Sequence, residues 1–166
     1  MTRPAYKTAL ITGGAKRIGQ AIAEDLAANG WAVAVHCHQS LREGEALCEK
    51  IRSAGGKALA LRADLADLDA VERLLPQAQA ALGPIDLLVN NASVFETDTA
   101  ESMSRESFAL HHRINLQAPL FLAQAFAANL PAGASGNIVN LIDQRVLKLS
   151  PEFFSYQLSK SALWVA

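Results

Sequence analysis

The chain has little of what marks a secreted, membrane or nucleic-acid-binding protein. Only Cys37 and Cys48 occur among 166 residues, too few for a disulfide framework, so a reducing cytoplasm is the default compartment. No stretch near the start joins a basic region, an apolar region and a small-residue cleavage site, and no apolar run approaches membrane-spanning length. Charge of one sign is missing too: the formal net charge is −1, with scattered Lys and Arg that leave no footprint for nucleic acid or an anionic membrane. What is present, 51% apolar and 19% charged residues, suffices for one well-buried core. A single domain over 1–166 with a small-molecule partner is expected.

Short apolar runs alternate with helical patterns. Strands are predicted at 7–12 (KTALIT), 31–37 (WAVAVHC), 57–61, 85–90 (IDLLVN) and 137–142 (NIVNLI). Helices are predicted from Ile18 to Gly30, over 41–53, 68–82 and about 105–130, with Pro119 as the place for a kink, and from Phe154 onward. This alternation implies an α/β fold, a parallel sheet covered on both faces by right-handed crossovers. Ligands of such sheets bind beyond the carboxyl ends of the strands.

The first strand is followed by ITGGAKRIGQ, which lacks the G-x-G-x-x-G spacing of the usual dinucleotide loop. Gly13 and Gly14 still permit a sharp turn, and Gly19 lets a helix N-terminus lie close to the sheet and face an anion. The second strand lacks the acid that would hold adenosine ribose hydroxyls: His36-Cys37-His38-Gln39-Ser40 stands there, and no acid appears before Glu43. Guanidinium, imidazole and hydroxyl groups donate to a 2′-phosphate where an acid would repel it, so Arg17 with this run points to NADP(H). A metal site is disfavoured, because strand alternation puts Cys37 on the opposite side from both histidines. Lys16 is open between the phosphate and solvent. Asp64, beside Leu65, reads equally as an adenine acceptor or a helix cap, and Asn90-Asn91-Ala92-Ser93 as a cofactor-passing strand end or a turn. Tyr156 and Lys160 share one helix face, where the ammonium is expected to lower the phenol's pKa.

Thr12-Gly13 with Gly19, Asn90-Asn91-Ala92-Ser93, Asn115 and Tyr156-x-x-x-Lys160 together resemble the short-chain dehydrogenase/reductase family over essentially the whole chain. Three departures, Arg17 for a loop glycine, Ser93 for the glycine after Asn-Asn-Ala, and Asp143 for the catalytic Ser, look like its pteridine reductase branch, as do His36-x-His38-x-Ser40 and Phe95. The resemblance implies a Rossmann-type doubly wound sheet and NADPH held by Gly13, Arg17, Ile18, Gly19, His36, His38, Ser40, Asp64, Leu65, Asn91, Ala92, Ser93, Tyr156 and Lys160. It implies Asp143, Tyr156, Lys160 and Asn115 as catalytic residues, and Ser93, Phe95, Asp143 and Tyr156 around a pterin or folate whose C=N bond is reduced. On spacing alone Asp143 reads equally as a solvated acid. An ordinary NADP-dependent carbonyl reductase and a non-catalytic nucleotide-binding protein are the alternatives. Family members commonly form homodimers or homotetramers, and they continue past the Tyr-x-x-x-Lys helix with further strands. A C-terminally incomplete domain is therefore expected, with an unpaired sheet edge.

Overall fold

In this computed structural model, which describes residues 7–166, the apolar runs become five parallel strands. They are β1 (Thr8–Ile11), β2 (Ala32–Cys37), β3 (Lys57–Arg62), β4 (Leu87–Asn90) and β5 (Asn137–Asn140). The helices are α1 (Arg17–Ala28), α2 (Leu41–Ser53), α3 (Leu68–Leu82), α4 (Arg105–His112), α5 (Ala118–Ala128) and α6 (Phe154–Val165). The sheet order is β3-β2-β1-β4-β5, so the chain winds outward in both directions from β1, and a crevice opens beyond the carboxyl ends of the paired strands β1 and β4, where their connections part. The Rossmann-type doubly wound reading holds.

The run ALI in β1 is continuously apolar because successive side chains enter opposite faces, and both faces are buried. Leu10 packs with Leu88 against Val71, Leu74 and Leu75 of α3 and Leu122 and Phe126 of α5. Ala9 and Ile11 pack with Val33 and Val35 against Ala23 of α1 and Leu47, Cys48 and Ile51 of α2. Both cysteines are free and buried. At the other end of the sheet, β5 pairs with β4 in register Leu87–Asn137 to Asn90–Asn140, and its Ile138 and Val139 stay exposed.

The expected long helix at 105–130 forms as α4 and α5 joined through an irregular turn just before Pro119. Arg113–Gln117 forms a π-helical turn between α4 and α5, with Pro119 at the start of α5. The pyrrolidine ring would crowd the carbonyl four residues back, that of Asn115, and the wider π turn relieves that clash at this point. Asn115 therefore sits in an irregular turn rather than on a regular helix.

Helix α6 is positioned from a distance. Its preceding residue, Phe153, has φ of 58° and supplies no side-chain cap. Asp98, in the loop after β4, does so instead: its Oδ1 accepts from the Ser155 N–H at 2.9 Å, and its carbonyl accepts from the Phe154 N–H at 3.1 Å. A carboxylate at a helix N-terminus is favoured by the unpaired amides and the dipole. Burial works to raise the pKa of Asp98, but the Ser155 bonds and nearby His111 outweigh it, and the value falls below the ordinary 3.8. A depressed carboxylate stabilises above its unfolded pKa and loses that contribution as pH falls through the folded value. The stability deficit of Asp98→Asn, measured by urea unfolding, should therefore be full at pH 6 and shrink progressively once the pH drops below 3.8.

Candidate active site

Two side chains join the ends of β1 and β4. The Thr12 hydroxyl donates to the Val89 carbonyl at 3.3 Å and accepts from the backbone N–H groups of Asn91 and Ala92, both at 3.0 Å. Asn91 Nδ2 donates back to the carbonyls of Thr12 (2.8 Å) and Gly13 (3.1 Å). These bonds draw the loop after β4 tight against the glycine loop. A Cβ on Gly19 would overlap the Gly13 carbonyl oxygen and approach Asn91 Nδ2 to 2.6 Å. Gly13 itself has φ of 61°.

His36 secures the same loop from the other side. Its Nδ1 accepts from the Gly13 N–H at 3.1 Å, and its Nε2 faces the Ala63 carbonyl at 3.1 Å, which identifies the neutral tautomer with the proton on Nε2. Burial pushes its pKa down to about 4. The ring was expected to donate to a phosphate, yet both nitrogens are taken by backbone, so His36 shapes the loop instead. His38 is half exposed, with Nε2 at 4.0 Å from Asp64 Oδ2. Asp64 does not cap α3; Oδ1 accepts from the Ala66 N–H at 2.9 Å, and Asp67 is the cap. Ser40 precedes α2 and borders a smaller hollow beside Lys16 and His38. Lys16, left open by the sequence, pairs with Glu43 at 2.7 Å.

Arg17 occupies the left-handed region at φ 53°, a conformation natural to glycine and costly for a side chain by roughly 1–2 kcal/mol. It lies exposed at the start of α1, on the rim of the cavity.

Across the crevice, the π turn presents Asn115 fully buried. Its Oδ1 accepts from the Val94 N–H (2.8 Å) and the Ser93 hydroxyl (3.1 Å), while Nδ2 donates to the Val94 carbonyl (2.9 Å) and Ser159 Oγ (3.1 Å). One amide thus ties the loop after β4 to α6, the helix that carries Tyr156 and Lys160. Tyr156 Oη donates to Asp143 Oδ2 at 3.1 Å. Asp143 Oδ1 accepts from the Arg145 N–H at 2.8 Å and from Nη1 of the same residue at 3.4 Å. Lys160, 3% exposed, donates to the Leu141 carbonyl at 2.8 Å.

These contacts correct one expectation. Burial raises the Tyr156 pKa, and the charge and hydrogen bond of Asp143 raise it further, leaving it above the ordinary 10. Lys160 does not reverse this, because its ammonium turns to Leu141 and lies 5.9 Å from the ring centroid. Burial likewise opposes the ionised form of Asp143, but the Arg145 N–H, the Tyr156 hydroxyl and the Arg145 charge prevail, and its pKa falls.

Phe95 stands beside this cluster, half exposed. Phe153 stacks on it at 4.2 Å and 6°, and Tyr156 meets it edge-on at 4.7 Å and 76°. Phe95 lines the cavity and Phe153 does not, so Phe153 backs the ring from outside. All the expected site residues except Ser40 and Asn115 line one cavity of about 790 Å³. Sequence reasoning missed Arg145, Phe153 and the Leu141 carbonyl. Arg145 had a signal, since it follows Asp143 by two residues; the other two had none. Among the described residues, no cluster of three or more His, Cys, Asp or Glu side chains offers a metal site.

The model of the short chain dehydrogenase family matches residues 7–165. The chain belongs to that family. An oxidoreductase of Methylorubrum extorquens is 34% identical over 98% of this chain and 65% of its own length. The L-rhamnose 1-dehydrogenase (NAD(P)(+)) of Azotobacter vinelandii is 36% identical over 80% of this chain and 53% of that protein. Among solved structures, FolM alternative dihydrofolate reductase 1 of Brucella suis, in complex with NADP, superposes with a TM-score of 0.92 at 49% identity, over 95% of this chain and 66% of that one. A short chain dehydrogenase of Burkholderia cenocepacia, also with NADP, gives 0.90 at 33% identity, over 98% and 66%. The chain thus spans between half and two thirds of the length of these relatives.

Gly19→Ala tests how tightly the glycine loop is packed. The added methyl should force the loop off Asn91 and cost about 1–3 kcal/mol of stability, read as a lower urea midpoint with an unchanged m-value.

Proposed function

We propose that this chain is the nucleotide-binding and catalytic part of an NADPH-dependent reductase acting on the C=N bond of a dihydropterin or dihydrofolate. The observation that carries the reading is Asp143 hydrogen-bonded to Tyr156 beside the half-exposed, cavity-lining Phe95. A flat, nitrogen-rich heterocycle fits an aromatic platform flanked by an acid and a phenol. The solved FolM relative, named as a dihydrofolate reductase, supports the same substrate class.

The residues present fit NADPH. Gly13 and Gly19 let the loop pack tightly against Asn91 and Ala92 and bring the N-terminus of α1 to the cavity, where a pyrophosphate is favoured. Arg17 and His38 rim the cavity beside it, and a guanidinium suits a 2′-phosphate. His36 would serve by holding the Gly13 N–H in place. Lys160 would hold the nicotinamide ribose.

When bound, NADPH supplies the hydride. Tyr156 remains protonated near neutrality and carries the proton destined for the substrate nitrogen. The Asp143 carboxylate holds that hydroxyl in line, and Asn115 fixes α6 and the Ser93 loop so that Tyr156 and the platform keep their spacing. A carbonyl reductase of the same family would use a serine hydroxyl where Asp143 stands, and that substitution favours the pterin. Leu120 and Phe121, exposed on α5, support association of copies into a homodimer or homotetramer.

Tyr156→Phe should abolish NADPH oxidation with dihydrobiopterin, by roughly 100-fold or more in kcat, while NADPH affinity by fluorescence titration stays within about twofold. Retained turnover in that variant would remove the assignment. Arg17→Gly relieves the left-handed backbone and deletes the guanidinium. It should weaken NADPH by about tenfold or more and leave NADH nearly unchanged; equal losses for both dinucleotides would contradict a 2′-phosphate contact.

A further inference from the structure

Arg145 is held firmly yet leaves most of its donors unused. Its guanidinium carbon lies 5.3 Å from the Phe95 ring centroid and 4.9 Å from that of Phe153, within the range of a cation–π contact. Of its five N–H groups, the Nη1 bond to Asp143, at 3.4 Å, is long, and Nε is buried without a hydrogen-bond partner. A buried, unpaired donor of a charged group is unfavourable. The side chain lines the cavity with Phe95, Asp143 and Tyr156.

The Asp143 carboxylate also sets where these donors stand. One oxygen takes the Tyr156 hydroxyl and the other takes Arg145, so phenol and guanidinium flank one planar group at the edge of the aromatic platform. In a 4-oxo pterin, the N5 nitrogen and the C4 carbonyl oxygen lie side by side on one edge of the ring. N5 belongs to the C=N bond that is reduced in a 7,8-dihydropterin.

We propose that Arg145 is a specificity-determining residue, donating to the C4 carbonyl oxygen of the substrate while Tyr156 faces the adjoining N5; this rests on the pterin reductase reading above. Arg145 thereby selects ring systems with a carbonyl beside the reacting nitrogen. Asp143 cannot make that selection, since a carboxylate only accepts.

The test compares 2-amino-4-oxopteridine with 2-aminopteridine, which lacks the carbonyl, as competitive inhibitors of dihydrobiopterin reduction. Wild type should favour the 4-oxo compound by roughly tenfold, as a hydrogen bond to a charged donor warrants. Arg145→Met, which keeps an unbranched stem against the two phenylalanines, should bring the ratio to near one with NADPH affinity unchanged. Arg145→Lys should fall between. An unchanged ratio in Arg145→Met, or no preference in wild type, overturns the assignment while dihydropterin turnover keeps the reductase reading intact. A wild-type protein that reduces no dihydropterin overturns both. Should Arg145→Met fail to fold, the wild-type preference and the Arg145→Lys ratio decide the matter by the same criteria.

Discussion

The junction between the carboxyl ends of β1 and β4 governs the rest of this molecule. Connections that leave two paired parallel strands in opposite directions open a crevice there, and side-chain bonds beyond the ladder fix its walls. The Thr12 hydroxyl bonds Val89, Asn91 and Ala92, and the Asn91 amide returns to Thr12 and Gly13. Gly19 has no side chain because these groups already fill the space a Cβ would take. A loop so confined has one shape, and His36 sets it from the opposite side at the expense of its own titration near neutrality.

A second layer of order radiates from two polar side chains placed off the sheet. Asn115, carried buried on a π turn, ties the Ser93–Val94 segment to Ser159 on α6. Asp98 caps the same helix from the same loop. The helix bearing Tyr156 and Lys160 is therefore registered against the loop bearing Phe95 at two points, which keeps phenol, carboxylate and aromatic ring in fixed relation. Charge within this cluster is balanced locally: Asp143 takes donors from Tyr156 and Arg145, while Lys160 rests on a backbone carbonyl. Burial, with the Asp143 carboxylate beside it, keeps the phenol protonated, contrary to the effect expected from an ammonium four residues along the helix.

Much of the architecture was legible because buried parallel strands leave continuous apolar runs and their crossover helices a period near four. β2, α2 and α3 fall where the residue pattern puts them. The strand-end windows likewise led to most of the cavity lining, since the topology sends every such loop to one edge. The failures are of a different kind. The π turn before Pro119 went unread because a wider turn has no composition of its own. His36 read as a phosphate donor because a strand-end histidine carries no mark of which way its ring bonds. Phe153 escaped notice because it belongs to no motif and matters only through stacking on Phe95, far away in the chain. Arg145 escaped because its nearness to Asp143 in sequence does not show that its side chain turns back to that carboxylate and to both rings.

By itself the sequence determined the order of elements, the burial of both faces of the sheet at β1 and β2, the glycine loop with Arg17 in place of a glycine, and the acid-free end of β2. Each depends on local periodicity or on the chemistry of a single residue type. The tertiary structure alone decided which partner each polar side chain takes: His36 the Gly13 and Ala63 backbone, Lys160 the Leu141 carbonyl, and Asp143 both Tyr156 and Arg145. Protonation follows those partners, because a buried group titrates according to the donors and charges that surround it, and they come from segments that only folding brings together.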